Sequence, residues 1–138
     1  MQTAILWPLL AHIGLVFALY AWLTAARIRA VRSGRVQYAC FEFGRDEPPD
    51  IARITRNLGN QFELPVIVYA SVLLLMQFGA LGGWDAAFCW VFFAGRVLHT
   101  AVQTLTDNVP LRGRVFMVGF LACAALVGHL ALVAIAAV

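Results

Sequence analysis

Four stretches of the chain are apolar for long enough to cross a bilayer, and this limits the possible folds more than any other feature. Spanning the hydrocarbon takes about 20 helical residues at 1.5 Å rise per residue. Ile5 to Ala26, Phe62 to Leu81, Ala86 to Leu105 and Val115 to Ala137 each reach that length. Apolar residues stand on every side of these runs, whereas a membrane β-barrel needs short segments of alternating apolar and polar residues. The expectation is an all-α integral membrane four-helix bundle of up-down topology, a single domain over residues 1–138. Composition agrees, since 62% of residues are hydrophobic and 12% charged, too little polar surface to cover a water-soluble core.

The charges orient the bundle. The first span has no basic residue before it and is followed by Arg27, Arg29, Arg32 and Arg35, so it reads as a retained helix rather than a cleaved leader. Arg45, Arg53 and Arg56 continue the same loop, Arg112 and Arg114 follow the third span, and Gly82 to Asp85 between the second and third spans has no basic residue. The positive-inside rule then places the arginine-rich loops in the cytoplasm and both termini on the other side. The net charge of +3 suits anionic headgroups and does not call for nucleic acid.

Cys40, Cys89 and Cys123 form no Cys-x-x-Cys pair, which argues against thiol-disulfide chemistry. His12, His99 and His129 fall on different helices without a partner at ligand spacing, so no metal site is expected. The long connection from Arg27 to about Asp50 holds Pro48 and Pro49, which end any helix there, and Asn108, Pro110 and Gly113 mark a tight turn after the third span. Asp85 suits the amino end of the third span as a cap, and Gly14 with Ala18 or Gly79 with Gly83 are small-residue pairs that allow close packing.

Chemistry is expected where polar residues interrupt the apolar runs, because a charge in hydrocarbon costs several kcal/mol and is kept only when something compensates it. Arg53, Arg56, Asn60 and Glu63 fall within an arc of roughly 80° on a regular helix. Arg96, His99 and Gln103 repeat the spacing on the third span, which runs the opposite way and brings Arg96 level with Glu63. Two arrangements fit. Arg96 and Glu63 form a structural ion pair, or the two stripes line a pocket whose guanidinium groups grip the carboxylates of a small zwitterionic peptide. Pro65 cannot donate to the carbonyl of Gln61, so a bend is expected beside the stripe.

The run Arg53-Ile-Thr-Arg56-Asn-Leu-Gly-Asn60-Gln-Phe-Glu63-Leu-Pro65 resembles the second-helix signature of the membrane-associated proteins in eicosanoid and glutathione metabolism, the MAPEG family. The segment Arg96-Val-Leu-His99-Thr-Ala-Val-Gln103, followed by Val109-Pro110-Leu111-Arg112-Gly113, is similar to the family's third helix and its end, and the wording looks more like the bacterial branch. The resemblance implies a homotrimer, bacterial inner-membrane residence, and glutathione held between neighbouring subunits. By motif, the glutathione contacts fall on Arg53, Arg56, Asn60 and Glu63, with Arg96, His99 and Gln103 on the facing stripe. Arg112 matches the arginine credited with holding the thiolate, so the implied activity is a glutathione-dependent transferase or peroxidase acting on small lipophilic substrates. Gln103 stands where family enzymes commonly carry Tyr, Leu64 where an aromatic is frequent, and Gly113 where the prostaglandin enzyme has a serine. A small proton-coupled transporter using Glu63 and a non-catalytic protein of the same fold are the alternatives.

Overall fold

The computed structural model describes residues 2–44 and 46–137, so Arg45, counted above among the loop arginines, lies outside it. Five helices make four passes: α1 (Gln2–Arg32), α2 (Pro49–Gly59), α3 (Leu64–Gln77), α4 (Gly83–Leu105) and α5 (Val109–Ala136). No strand occurs among the described residues. α2 and α3 together form the second pass, joined by a 3₁₀ turn over Asn60–Phe62. α4 packs most extensively on α5 and also against α1 and α2, while α3 packs against α5.

The helices begin and end differently from the apolar runs. α1 continues past Ala26 to Arg32, because emerging from hydrocarbon does not stop a helix. Gly34 stops it, at φ 70°, with the Arg35 amide donating to the Ala30 carbonyl at 3.0 Å. Pro48 and Pro49 begin a helix instead of ending one: Pro49 occupies the first turn of α2, where its missing N–H is not needed. The turn expected around Asn108, Pro110 and Gly113 is confined to Thr106–Asn108. Asn108 caps α5 by accepting from the Leu111 amide at 2.9 Å, and Pro110 and Gly113 are already helical.

Thr3–Arg32, Pro49–Gln77 and Val109–Ala136 are long and apolar enough to cross a membrane. Their outward residues are bare hydrophobics, among them Phe17 and Leu73, Leu132 and Ile135. α4 is long enough, at 23 residues or about 34 Å, but less apolar. Its polar residues Asp85, Arg96, His99, Thr100 and Gln103 are all buried against neighbouring helices, which leaves an apolar outer face. The chain is therefore an integral membrane protein of four passes.

Two apolar clusters fill the bundle. Ile5, Val68, Val72, Cys89, Phe92, Ala122, Cys123 and Leu126 pack at the end near the termini. Leu19, Leu23, Ala30, Ile51, Ile54 and Leu58 pack at the arginine-rich end. His12 falls between Ile5 and Leu19 on α1, and Gln61 between Leu58 and Val68 on the second pass, so a buried polar layer, which Asn57, Arg96 and Thr100 join, separates the clusters.

The small-residue contact is not the expected one. Gly14, Gly79 and Gly83 have open space where a side chain would grow, whereas a Cβ on Gly95 would lie 3.0 Å from the amide nitrogen of Gly119. α4 and α5 thus meet backbone to backbone at Gly95 and Gly119. Asp85 does serve the amino end of α4, accepting from the Gly82 amide at 2.7 Å, and its other oxygen lies 2.8 Å from His129 Nδ1.

Replacing Gly95 with Val forces α4 off α5 and is expected to cost about 1–3 kcal/mol, the usual price of overpacking. Thermal unfolding in detergent measures it, with Gly14→Val as the comparison. Equal melting temperatures for the two variants would refute the close contact.

Candidate functional site

The interruption of the second pass organises the site. Glu63 has φ −96° and ψ −97°, outside the helical region, and Pro65 opens α3. Without a Pro65 N–H the Gln61 carbonyl has no helical donor. The break also frees the Asn60 carbonyl, which accepts from Arg96 Nη2 at 2.7 Å, and Arg96 Nε donates to Gln61 Oε1 at 3.1 Å. Of the two arrangements, the ion pair between Arg96 and Glu63 does not form: Arg96 is hydrogen-bonded by neutral oxygens of the broken turn, and Glu63 stands exposed on the outside of the bundle.

Gln61 is the hub of the polar layer. Its Oε1 can only accept, so His12 Nε2–H donates to it at 3.0 Å, leaving His12 Nδ1 to accept from the Tyr69 hydroxyl at 2.6 Å. Its Nε2 donates to the Asn57 carbonyl at 3.1 Å, and Asn57 Nδ2 donates to Thr100 Oγ1 at 3.1 Å. Sequence reasoning missed Asn57, Gln61, Thr100 and Tyr69 as partners. The signal was present, because Ile54, Asn57, Leu58 and Gln61 repeat at helical spacing and place both amides on the apolar, inward stripe of the second pass.

Four of the expected site residues converge toward the arginine-rich end. Arg53, Arg56, Gln103 and Arg112 line a cleft of about 240 Å³, with Pro49 and Ala52. A smaller recess of about 80 Å³ joins it through Arg53, Gln103 and Arg112 and reaches Thr106–Val109. α2 supplies Arg53 and Arg56 from its outer face, α4 supplies Gln103 from its last turns, and α5 supplies Arg112 from its first turn. There the positive end of the helix dipole adds to the guanidinium charge. Arg53 pairs with Asp107 and also donates to the Thr106 carbonyl at 3.3 Å, which ties α2 to the link between α4 and α5. Arg56 and Arg112 have no carboxylate partner among the described residues.

Asn60, Arg96 and His99 stand behind that cleft. Asn60 Nδ2 donates to Gln103 Oε1 at 3.2 Å, fixing the amide that forms the back wall. His99 is buried one turn deeper, its ring edge-on to Phe116, and its Nδ1 has no hydrogen-bond partner among the described residues. Glu63 does not line the cleft. No group of three or more His, Cys, Asp or Glu side chains placed to hold a metal occurs among the described residues.

A membrane bundle with a basic cleft at one end of a broken second pass defines a class of helical membrane protein. The chain matches the MAPEG family model over residues 5–132 and belongs to that family. No curated protein and no solved structure matches it.

Replacing Gln61 with Leu removes the acceptor shared by Arg96 and His12 and leaves two buried donors unsatisfied. The expected loss is about 1–3 kcal/mol per orphaned group, more for the charged one. Thr104→Val, which removes only a hydroxyl bonded to the Thr100 carbonyl on its own helix, is the control. Chemical denaturation that ranks the two variants equally would remove Gln61 from its central place.

Proposed function

We propose that the protein is a glutathione-dependent transferase or peroxidase acting on lipophilic electrophiles, and that Arg112 stabilises the thiolate. The observation that carries this reading is the convergence of Arg53, Arg56 and Arg112 on one cleft, with only Asp107 paired to any of them among the described residues. Glutathione has two carboxylates and one ammonium group, and it gains a further negative charge when its thiol ionises. Two guanidinium groups without carboxylate partners suit that charge balance, since charge-assisted bonds to carboxylates are the strong ones. Gln103, held by Asn60, offers its amide N–H to a ligand carbonyl. The unpartnered Nδ1 of His99, one turn deeper, supports a ligand group that reaches past Gln103.

When bound, glutathione would supply a nucleophilic sulfur. The chain's part is to keep the proton off it: a free thiol ionises near pH 8.5, and a guanidinium at a helix amino end favours the anion. In transfer, the sulfur lone pair forms a carbon–sulfur bond as the leaving group departs with its electrons. In peroxide reduction, two thiols yield a disulfide while the hydroperoxide becomes alcohol and water. A groove of about 360 Å³ between α1 and the second pass, walled by Ile13, Phe17, Phe62 and Val66, opens toward lipid and suits the apolar substrate. In this reading the assembly is a homotrimer and Glu63, exposed outside the cleft of its own chain, serves a neighbouring copy; its exposure supports that role.

Ultraviolet difference absorbance of the purified protein titrated with glutathione near neutral pH tests the proposal. A saturable thiolate band is expected, lost in Arg112→Ala. Arg56→Ala should keep the band at saturation but shift its midpoint roughly 10- to 100-fold, the worth of one charged hydrogen bond. A band unchanged in Arg112→Ala would overturn the arginine's role. Saturable glutathione binding with no band in the native protein would favour the non-catalytic alternative.

A further inference from the structure

A second cavity lies at the arginine-rich end, away from the glutathione cleft. It measures about 420 Å³ and sits between α1, the start of α2 and the end of α4. None of Arg53, Arg56, Gln103 or Arg112 lines it, so its occupant is independent of the activity proposed above.

Its charges sum to one. Arg35 is held bidentately by Asp50, at 2.6 and 3.0 Å, so those two lining groups cancel. The hydroxyls of Ser33 and Thr104 donate to the Ala30 and Thr100 carbonyls at 3.1 and 2.7 Å and have no proton left for a ligand. Arg29 lines the same cavity, is exposed, and makes no hydrogen bond or ion pair among the described residues. The cavity thus offers one uncompensated guanidinium.

Its walls are apolar on the bilayer side. Trp22 lies seven residues before Arg29 on α1, two turns or about 10 Å deeper toward the hydrocarbon, with Ala26 between them and Ile54 opposite. Indole rings favour the headgroup level of a bilayer. A free inorganic anion would gain nothing from this wall, and a neutral amphiphile nothing from Arg29. A molecule with one negative head and an apolar tail uses both.

We propose that this cavity is a site for a single acidic phospholipid, its phosphodiester on Arg29 and one acyl chain along Trp22. A phosphodiester carries one negative charge and so matches the single free arginine, and the headgroup level that Trp22 marks is where lipid phosphates stand. Arg29 near any anionic surface would be worth about 1 kcal/mol, or roughly fivefold, without a site. A built site must exceed that and must depend on the cavity's shape.

Native mass spectrometry of the full chain in phosphatidylcholine nanodiscs, titrated with short-chain phosphatidylglycerol, provides the test. One saturable lipid adduct per chain is expected. Arg29→Ala and Ala26→Trp, the second filling the cavity without touching the charge, should each weaken it more than about tenfold, beyond the surface effect. Arg32→Ala, in the same last turn but not lining the cavity, should leave it in place. Equal losses in Arg29→Ala and Arg32→Ala, or an adduct untouched by Arg29→Ala, would overturn the site. Displacement by equimolar inorganic phosphate or by decanoate would overturn the phospholipid assignment in favour of a free anion or a fatty carboxylate.

Discussion

Arg96 is 2% exposed in the middle of a bundle whose outer faces meet lipid, and the groups around it are arranged to give its guanidinium oxygen atoms. A charge held there has given up nearly all its contact with water, so several kcal/mol must be recovered from hydrogen bonds. In a regular helix each interior carbonyl already accepts from the amide four residues on, which leaves it a weaker acceptor for a guanidinium than a carbonyl with no amide donor. Pro65 and the 3₁₀ turn over Asn60–Phe62 interrupt that pattern, and Arg96 occupies the vacancy at Asn60 while holding Gln61. The broken helix and the buried arginine therefore complement each other: the break offers an oxygen, and Arg96 supplies the donor it lacks.

The polar layer also supports the cleft above it. Asn60 gives its carbonyl to Arg96 and its amide to Gln103, so one residue connects the mid-bundle network to the back wall of the basic cleft. Arg53, bonded to Thr106 and Asp107, fixes the other side to the link between α4 and α5. The unpaired guanidiniums, Arg56 and Arg112, thus project from a rigid frame, which lowers the ordering cost of holding a charged ligand.

Much of this was legible in the sequence. The apolar runs locate all four passes, and the three-and-four spacing of polar residues brings Arg53, Arg56 and Gln103 to the same cleft as Arg112. Glu63 leaves the stripe of Arg53 and Arg56 for a physical reason: a regular helix advances 100° per residue, whereas a 3₁₀ turn advances 120°, so three such residues add about 60° and carry the next side chain off the stripe. Pro65 announced a bend but not its sense. The Gly95–Gly119 contact was hidden differently, since the two glycines lie on separate helices and only a fold brings them together. Helix ends escaped because hydropathy reports where hydrocarbon stops, while Gly34 and Asn108 decide where the helix stops.

α4 has a consequence for how the chain enters a membrane. Presented alone to lipid, it would expose Asp85, Arg96, His99 and Gln103, all of which are buried only after its neighbours arrive. α5 follows after the three residues Thr106–Asn108, and α5 supplies both Gly119 against Gly95 and His129 against Asp85. The α4–α5 hairpin thus satisfies Asp85 within itself, while Arg96 and Gln103 find their partners on the second pass, which precedes α4 in the chain. Synthesis of the chain from one end to the other therefore meets the needs of Arg96 with residues already made and leaves Asp85 as the group whose partner, His129, is still to come.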